Sequence, residues 1–286
     1  MPCVWINIGN VIRSRSLVID HSLLGVPAGK RGVEGIRNSS NYFIHGAKIR
    51  TFRNVYICGM PVYQLSSEVL AFPPATVAND EGLLAVGGQL REDWLLTAYS
   101  QGLFPWYSAG EPIMWWSPDP RCVLVPAEVK VQKSMRPLLN SDEYDFRFDT
   151  DFKQVIENCA EIPRYNQPGT WITKEMKEAY LRLHEIGMAH SAEVWRDNEL
   201  VGGLYGVSIG RVFFGESMFS KEPNTSKLAL IRLCRWLQER DFVMVDCQIA
   251  SDHMYRMGAI EVSRHHFLEA LGEGMVEPSL KGKWKV

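Results

Sequence analysis

The chain has 286 residues, 46% of them hydrophobic, and 31 Lys and Arg against 33 Asp and Glu give a formal net charge of −2. A chain of this length and apolar content can bury a sizeable core and hold one or two domains. No run of 18 or more apolar residues occurs, which excludes a membrane-spanning helix. The six cysteines (Cys3, Cys58, Cys122, Cys159, Cys234 and Cys247) contain no CxxC pair, so a zinc knuckle, a redox motif and a disulfide framework are disfavoured and reduced thiols are expected.

Charge is uneven along the chain. Residues 1–59 carry eight Lys and Arg with two Asp and Glu, which leaves 23 against 31, a net of −8, for residues 60–286. A broad phosphate-neutralising face needs many basic contacts, so an acidic body must hold any nucleic acid locally. The first 59 residues show no steady apolar period and no signal-peptide pattern. They read as a disordered or artefactual basic extension, with a transit peptide as the alternative and Met60 as a suitable start.

Folded texture begins near Leu83. Arg91–Gln101 predicts a helix with Trp94, Leu95, Ala98 and Tyr99 on one stripe and Gly102 as its stop. Between Leu103 and Pro120, five rings alternate with Pro and Gly, which predicts an irregular, ring-lined segment. Arg121–Pro126 reads as a strand, Asp149–Ala160 as a helix, and Thr173 as the cap of a helix stopping at Gly187. Ser191–Arg196, Leu200–Ser208 and Arg211–Phe219 read as strands joined at Asp197-Asn198 and Ile209-Gly210. Ser226–Arg240 is an amphipathic helix and Phe242–Gln248 a strand; a short helix, a strand at Ala259–Val262 and a helix at His265–Leu271 follow. A meander, a crossover helix and another strand make an α+β layout, a mixed sheet flanked by helices, which suits the Gcn5-related acetyltransferase fold.

Polar residues inside apolar strands need a reason. Glu216 is the one carboxylate in Val212–Phe219, and Asp246 and Gln248 end the second strand, where a period of two puts both on one face. They can line a ligand crevice, Glu216 holding a cation while Asp246 and Gln248 assist proton removal from an amine. They can equally tie strand ends to loop donors. Trp106, Trp115 and Trp116 can stack on a base or form an inter-domain core. His184 and His190, six apart across Gly187, lack the spacing of a helical metal pair and read as structural; no metal site is expected. Lys130, Lys133 and Arg136 form a small basic run that suits phosphates or a solvated face.

Gly82-Leu83-Leu84-Ala85-Val86-Gly87-Gly88, Gly102-Leu103-Phe104-Pro105-Trp106-Tyr107, Trp115-Trp116-Ser117-Pro118-Asp119-Pro120-Arg121, Gly169-Thr170-Trp171-Ile172-Thr173, Gly215-Glu216-Ser217-Met218-Phe219-Ser220 and Asp246-Cys247-Gln248 together resemble the leucyl/phenylalanyl-tRNA–protein transferase family. The likeness runs in order from about Val62 to Leu271. It implies a small N-terminal domain at 62–120 and an acetyltransferase-like catalytic domain at 121–286. The implied reaction passes Leu or Phe from its tRNA to a protein with N-terminal Arg or Lys, marking it for degradation in the cytoplasm. Carried over by position, Trp106 and Trp171 would hold the aminoacyl-adenosine end, and Glu216, Asp246 and Gln248 would serve the acceptor and the chemistry. Leu204, Phe213, Met218, Leu230 and Val245 would wall the side-chain pocket. The expected chemistry needs no metal and no organic cofactor, because the ester is already activated. An apolar pocket separates apolar side chains by only about 1–3 kcal/mol per methylene, so methionyl-tRNA is expected as a further donor. The proton is assigned to Asp246, acting through Gln248 or a water, because an amide is a poor base. A monomer is expected.

Two features depart from the resemblance: the basic run is thin, with Pro137 inside it, and residues 1–59 have no counterpart. A conventional acyl-CoA transferase is the rival reading, but it cradles pyrophosphate in a glycine-containing loop. Here residues 220–226 contain no glycine. A silent aminoacyl-tRNA-binding module would not need Glu216, Asp246 and Gln248 together.

Overall fold

The computed structural model describes residues 60–161 and 171–286, together with the backbone of three short strands between 42 and 57. Of the reading of residues 1–59 as an extension, the part on residues 1–41 lies outside the described residues, as do Gly169 and Thr170 of their motif. β1 (Tyr42–Ile44) and β2 (Ala47–Ile49) pair with each other. β3 (Arg53–Ile57) pairs antiparallel with β4 (Met60–Leu65), so the sheet of the N-terminal region takes in residues ahead of 59.

That sheet has five strands in the order β3-β4-β5-β7-β6, with β5 at Leu83–Gly87, β6 at Phe104–Pro105 and β7 at Met114–Trp116. The ring-rich segment expected to be irregular therefore supplies two strands. Phe104 pairs with Trp116 and Pro105 with Trp115, a pairing too short to leave a period in the sequence. Helix α1 (Glu92–Ser100) buries Trp94, Leu95, Ala98 and Tyr99, the stripe expected of it.

The larger sheet runs β14-β8-β13-β12-β11-β10-β9. β8 spans Arg121–Leu124, β9 Asp145–Phe148, β10 Ala189–Arg196, β11 Glu199–Ile209, β12 Val212–Ser220, β13 Met244–Gln248 and β14 Ile260–Val262. Every pair is antiparallel except β12 with β13, because helix α5 (Thr225–Gln238) carries the chain across between them. Asp197 and Asn198 both take positive φ, 51° and 65°, as the tight turn between β10 and β11 requires. Helix α2 is the short Arg136–Leu139, and α3 (Phe152–Glu161) and α4 (Lys174–Glu185) cover one face. Thr173 caps α4, its Oγ1 accepting from Met176 N at 3.3 Å. Helices α6 (Asp252–Met257) and α7 (Arg264–Gly274) close the order.

The two faces of this sheet bury different clusters. Along β12, Val212, Phe214 and Phe219 join the cluster shared with α1, α3 and α4. Phe213 and Met218 join the cluster under α5. Gly202 of β11 lets α5 begin against the sheet, since a Cβ there would stand 2.3 Å from Thr225 Oγ1. The seam with the N-terminal sheet is held by the Arg182–Glu92 pair at 2.6 Å and by Arg264 Nε donating to Ser117 O at 2.9 Å.

Past α7 the tail returns over the β9 edge. Trp284 stacks on His190 at 3.8 Å and on Trp236 at 4.3 Å, and its amide donates to Asp149 Oδ2 at 2.8 Å. Asp149 also receives His190 Nδ1 at 2.9 Å, and His184 Nδ1 meets Ala189 O at 2.8 Å, so both histidines are structural, as expected. Trp284→Ala should lower stability by about 3–5 kcal/mol, read as a fall in the denaturant midpoint; an unchanged midpoint would show that the tail does not hold the fold.

Candidate active site

Bulges in two strands build the polar site. In β12, Ser217 pairs with Tyr205 and Gly215 with Gly206, which leaves Glu216 as the extra residue. A bulge re-aims its side chain and shifts the alternation beyond it. That shift is why Phe213 and Met218, of opposite parity, share the α5 face. In β13, the partners step from Asp246↔Val123 to Gln248↔Cys122, and Gln248 holds a φ of 56°. The simple alternation expected at that strand end is therefore interrupted. Parallel pairing of β12 with β13 stops at Phe214↔Asp246, so Glu216 and Gln248 lie just beyond the last pair, where the strands part.

Glu216 is 3% exposed and accepts three hydrogen bonds. Tyr99 OH donates to Oε1 at 2.7 Å, Tyr180 OH to Oε2 at 2.8 Å, and Gln248 Nε2 to Oε1 at 3.2 Å. Burial pushes its pKa up to about 7; the tyrosine hydroxyls and Arg121 pull it down, and Asp246 raises it further. Both tyrosines are held well above their ordinary value, first by burial and then by the Glu216 charge, so they remain donors. Gln248 Oε1 is buried and has no hydrogen-bond partner in the protein.

Asp246 is arranged differently. Arg121 Nε donates to Oδ1 at 2.8 Å and Arg121 Nη2 to Oδ2 at 2.7 Å, and Oδ1 also accepts the Gln248 backbone N–H at 2.9 Å. A carboxylate held in a two-pronged guanidinium pair offers little to a substrate proton. The aspartate is wholly buried, and its oxygens meet Arg121 and the Gln248 main chain.

Leu204, Phe213, Met218, Leu230 and Val245 come together in one cluster, each at most 3% exposed. All five belong to the cluster under α5. Trp106 and Ile249 are partly buried and touch both clusters, which places Trp106 on the seam between the apolar five and the polar group. Trp116 Nε1 donates to Trp106 O at 2.7 Å, fixing that main chain. Trp171 is buried at the entrance to α4. An open cleft of about 630 Å³ is lined by Tyr107, Ile113, Thr173 and Glu175 among others, and neither Trp106 nor Trp171 is among its lining residues. Lys130, Lys133 and Arg136 are exposed, away from this buried group. His265, His266 and Glu269, all exposed on α7, bring possible metal-ligand atoms within 4.8 Å of one another.

Sequence reasoning gives Tyr99 only as part of a helix stripe and Arg121 only as part of a motif and a strand, and it misses Tyr180. Their signal was a hydroxyl on each of two buried helix stripes, and a guanidinium opening an apolar strand.

Relatives supply the class. A family profile described as "Leucyl/phenylalanyl-tRNA protein transferase" matches residues 123–272, and one for the N-terminal domain of the same enzymes matches 88–119. Proteins named leucyl/phenylalanyl-tRNA–protein transferase from Azoarcus sp. (strain BH72), Myxococcus xanthus and Anaeromyxobacter dehalogenans (strain 2CP-C) are 53%, 50% and 49% identical. The alignments cover 75%, 79% and 79% of this chain and 92%, 97% and 97% of those proteins. The α+β fold with its buried polar site is thus that of an acyltransferase enzyme, one that works on aminoacyl-tRNA. The chain belongs to the leucyl/phenylalanyl-tRNA–protein transferase family.

Proposed function

We propose that the chain joins Leu or Phe from its tRNA to the N-terminal Arg or Lys of a protein at the point where β12 and β13 part. The unpartnered Gln248 Oε1 beside the Glu216 carboxylate carries this reading. An amide whose nitrogen is already committed to a carboxylate presents its oxygen, the right polarity to accept from an attacking amine N–H. Glu216, poised near pH 7, takes the amine proton as the new C–N bond forms. The ester C–O bond breaks, and the ribose oxygen leaves with the proton that Glu216 returns. The negative charge of Glu216 also favours an acceptor whose first residue is cationic.

The transferred side chain enters the apolar five on the α5 face, while Trp106 and Trp171 hold the adenosine end. That pocket penalises charged side chains by desolvation and separates apolar ones weakly, so methionyl-tRNA serves as a slower donor. Lys130, Lys133 and Arg136 contact phosphates. Replacing all three by Ala should flatten the dependence of log KM on log salt by about two units of slope; an unchanged slope removes the phosphate role. Among the described residues no helix is long and apolar enough to cross a membrane. Use of aminoacyl-tRNA supports a cytoplasmic location, and a monomer is the proposed state.

The direct test incubates the protein with leucyl-tRNA and a peptide beginning with Arg, with a peptide beginning with Asp as control. A product heavier by one leucyl residue is expected from the first alone. Equal extension of both peptides, or of neither, overturns the proposal.

A further inference from the structure

Arg121 is one of the largest wholly buried side chains of the protein, and its burial is elaborate. Its guanidinium lies 4.8 Å from the Phe104 ring centroid and 4.4 Å from that of Phe267. These rings come from the N-terminal sheet and from α7, so three parts of the fold meet on one cation. Nε and Nη2 grip both oxygens of Asp246, and Nη1 is left without a partner. Taking an ion pair fully out of water costs about as much as the attraction returns, so packing stability alone gives little reason for it. Its product is geometry. Asp246 Oδ1 receives the backbone N–H of Gln248, a non-glycine residue held at positive φ. Such a conformation persists only where its surroundings enforce it.

We propose that Arg121 is a positioning residue for the transfer reaction, acting through Asp246 to hold the Gln248 main chain so that its carboxamide faces both Glu216 and the attacking amine. The role rests on the reading of Gln248 given above. Every link is a direct contact: rings to guanidinium, guanidinium to carboxylate, carboxylate to backbone N–H, and carboxamide to Glu216 at 3.2 Å. A lysine keeps the charge but loses the two parallel bonds, because its ammonium is a point donor without a planar fork. The Asp246 carboxylate is then free to rotate and the Gln248 amide loses its fixed acceptor.

The test is a double-mutant cycle, which isolates whether two residues act through one another. Folded Arg121→Lys should lower kcat for leucyl transfer about 10- to 100-fold, with the KM for leucyl-tRNA within about twofold of wild type. In a Gln248→Ala background the same substitution should lower kcat less than about twofold further. A merely structural arginine predicts an equal loss in both backgrounds, and that result overturns the proposal. So does a folded Arg121→Lys enzyme with wild-type kcat. If Arg121→Lys does not fold, Asp246→Asn interrupts the chain one link later and enters the same cycle with the same expectations. Wild-type kcat in Gln248→Ala itself would remove the role of Gln248, and that outcome is distinct from additivity between the two sites.

Discussion

Glu216→Gln should lower kcat about 10²- to 10³-fold and at the same time raise the thermal midpoint at pH 8. The loss follows from removing the group proposed to take the amine proton, a contribution on the order of 10²- to 10⁴-fold in acid–base catalysis. The gain follows from linkage. Folded Glu216 titrates at about 7 and its ordinary value is 4.5, so between those pH values the folded state holds a proton that the unfolded state has released. Its stabilising contribution is complete below about pH 4.5 and is lost as pH rises through 7. By pH 8 the cost is about 3 kcal/mol. A neutral amide removes it, which corresponds to roughly 5–10 °C in midpoint. At pH 5 the two proteins should melt within about 2 °C of each other. Calorimetry at both pH values, beside single-turnover kinetics at pH 8, checks the pair of effects; a midpoint lowered at pH 8 would show that Glu216 is held by its partners and not strained by burial. The wild-type rate should climb through about pH 7 as Glu216 ionises. An acceptor peptide with a different amine pKa tells that limb from the titration of the peptide itself. Glu216→Lys should abolish use of Arg-starting acceptors.

Trp106→Ala should raise the KM for leucyl-tRNA about 10- to 100-fold while leaving kcat within a fewfold. Stacking of a base on an aromatic side chain contributes about 1–3 kcal/mol by alanine substitution, and the ring sits where both clusters meet. Trp106→Phe should recover most of the affinity. A ring that only seals the seam gives the opposite split: a lowered midpoint with KM unchanged in the folded fraction. Equilibrium unfolding beside steady-state kinetics at varied leucyl-tRNA separates the two outcomes.

The large sheet was legible wherever a period lasted long enough to count. Three meander strands, the crossover helix and β13 fall within a few residues of the expected bounds, because each carries a regular alternation or a helical stripe. The strands β6 and β7, of two and three residues, are too short for any period and exist only because the segments pair across the sheet. The site divided in the same way. Glu216, Asp246 and Gln248 stood out as polar residues in apolar strands, and the structure gathers them in one hydrogen-bonded group. Their division of labour was not readable. The bulge at Glu216 and the positive φ at Gln248 are products of pairing, and Arg121 reaches Asp246 across 125 positions of sequence. Nothing local to Asp246 announces that its oxygens are taken.

The returning tail has a practical side. Trp236 Nε1 donates to the Lys285 carbonyl at 2.9 Å, one residue before Val286, which is 81% exposed. A fluorophore joined at Val286 would hang directly beside a stacked pair of indoles. Quenching there should vanish when residues 276–286 undock, an optical gauge of the β9 edge that leaves the Glu216 group untouched.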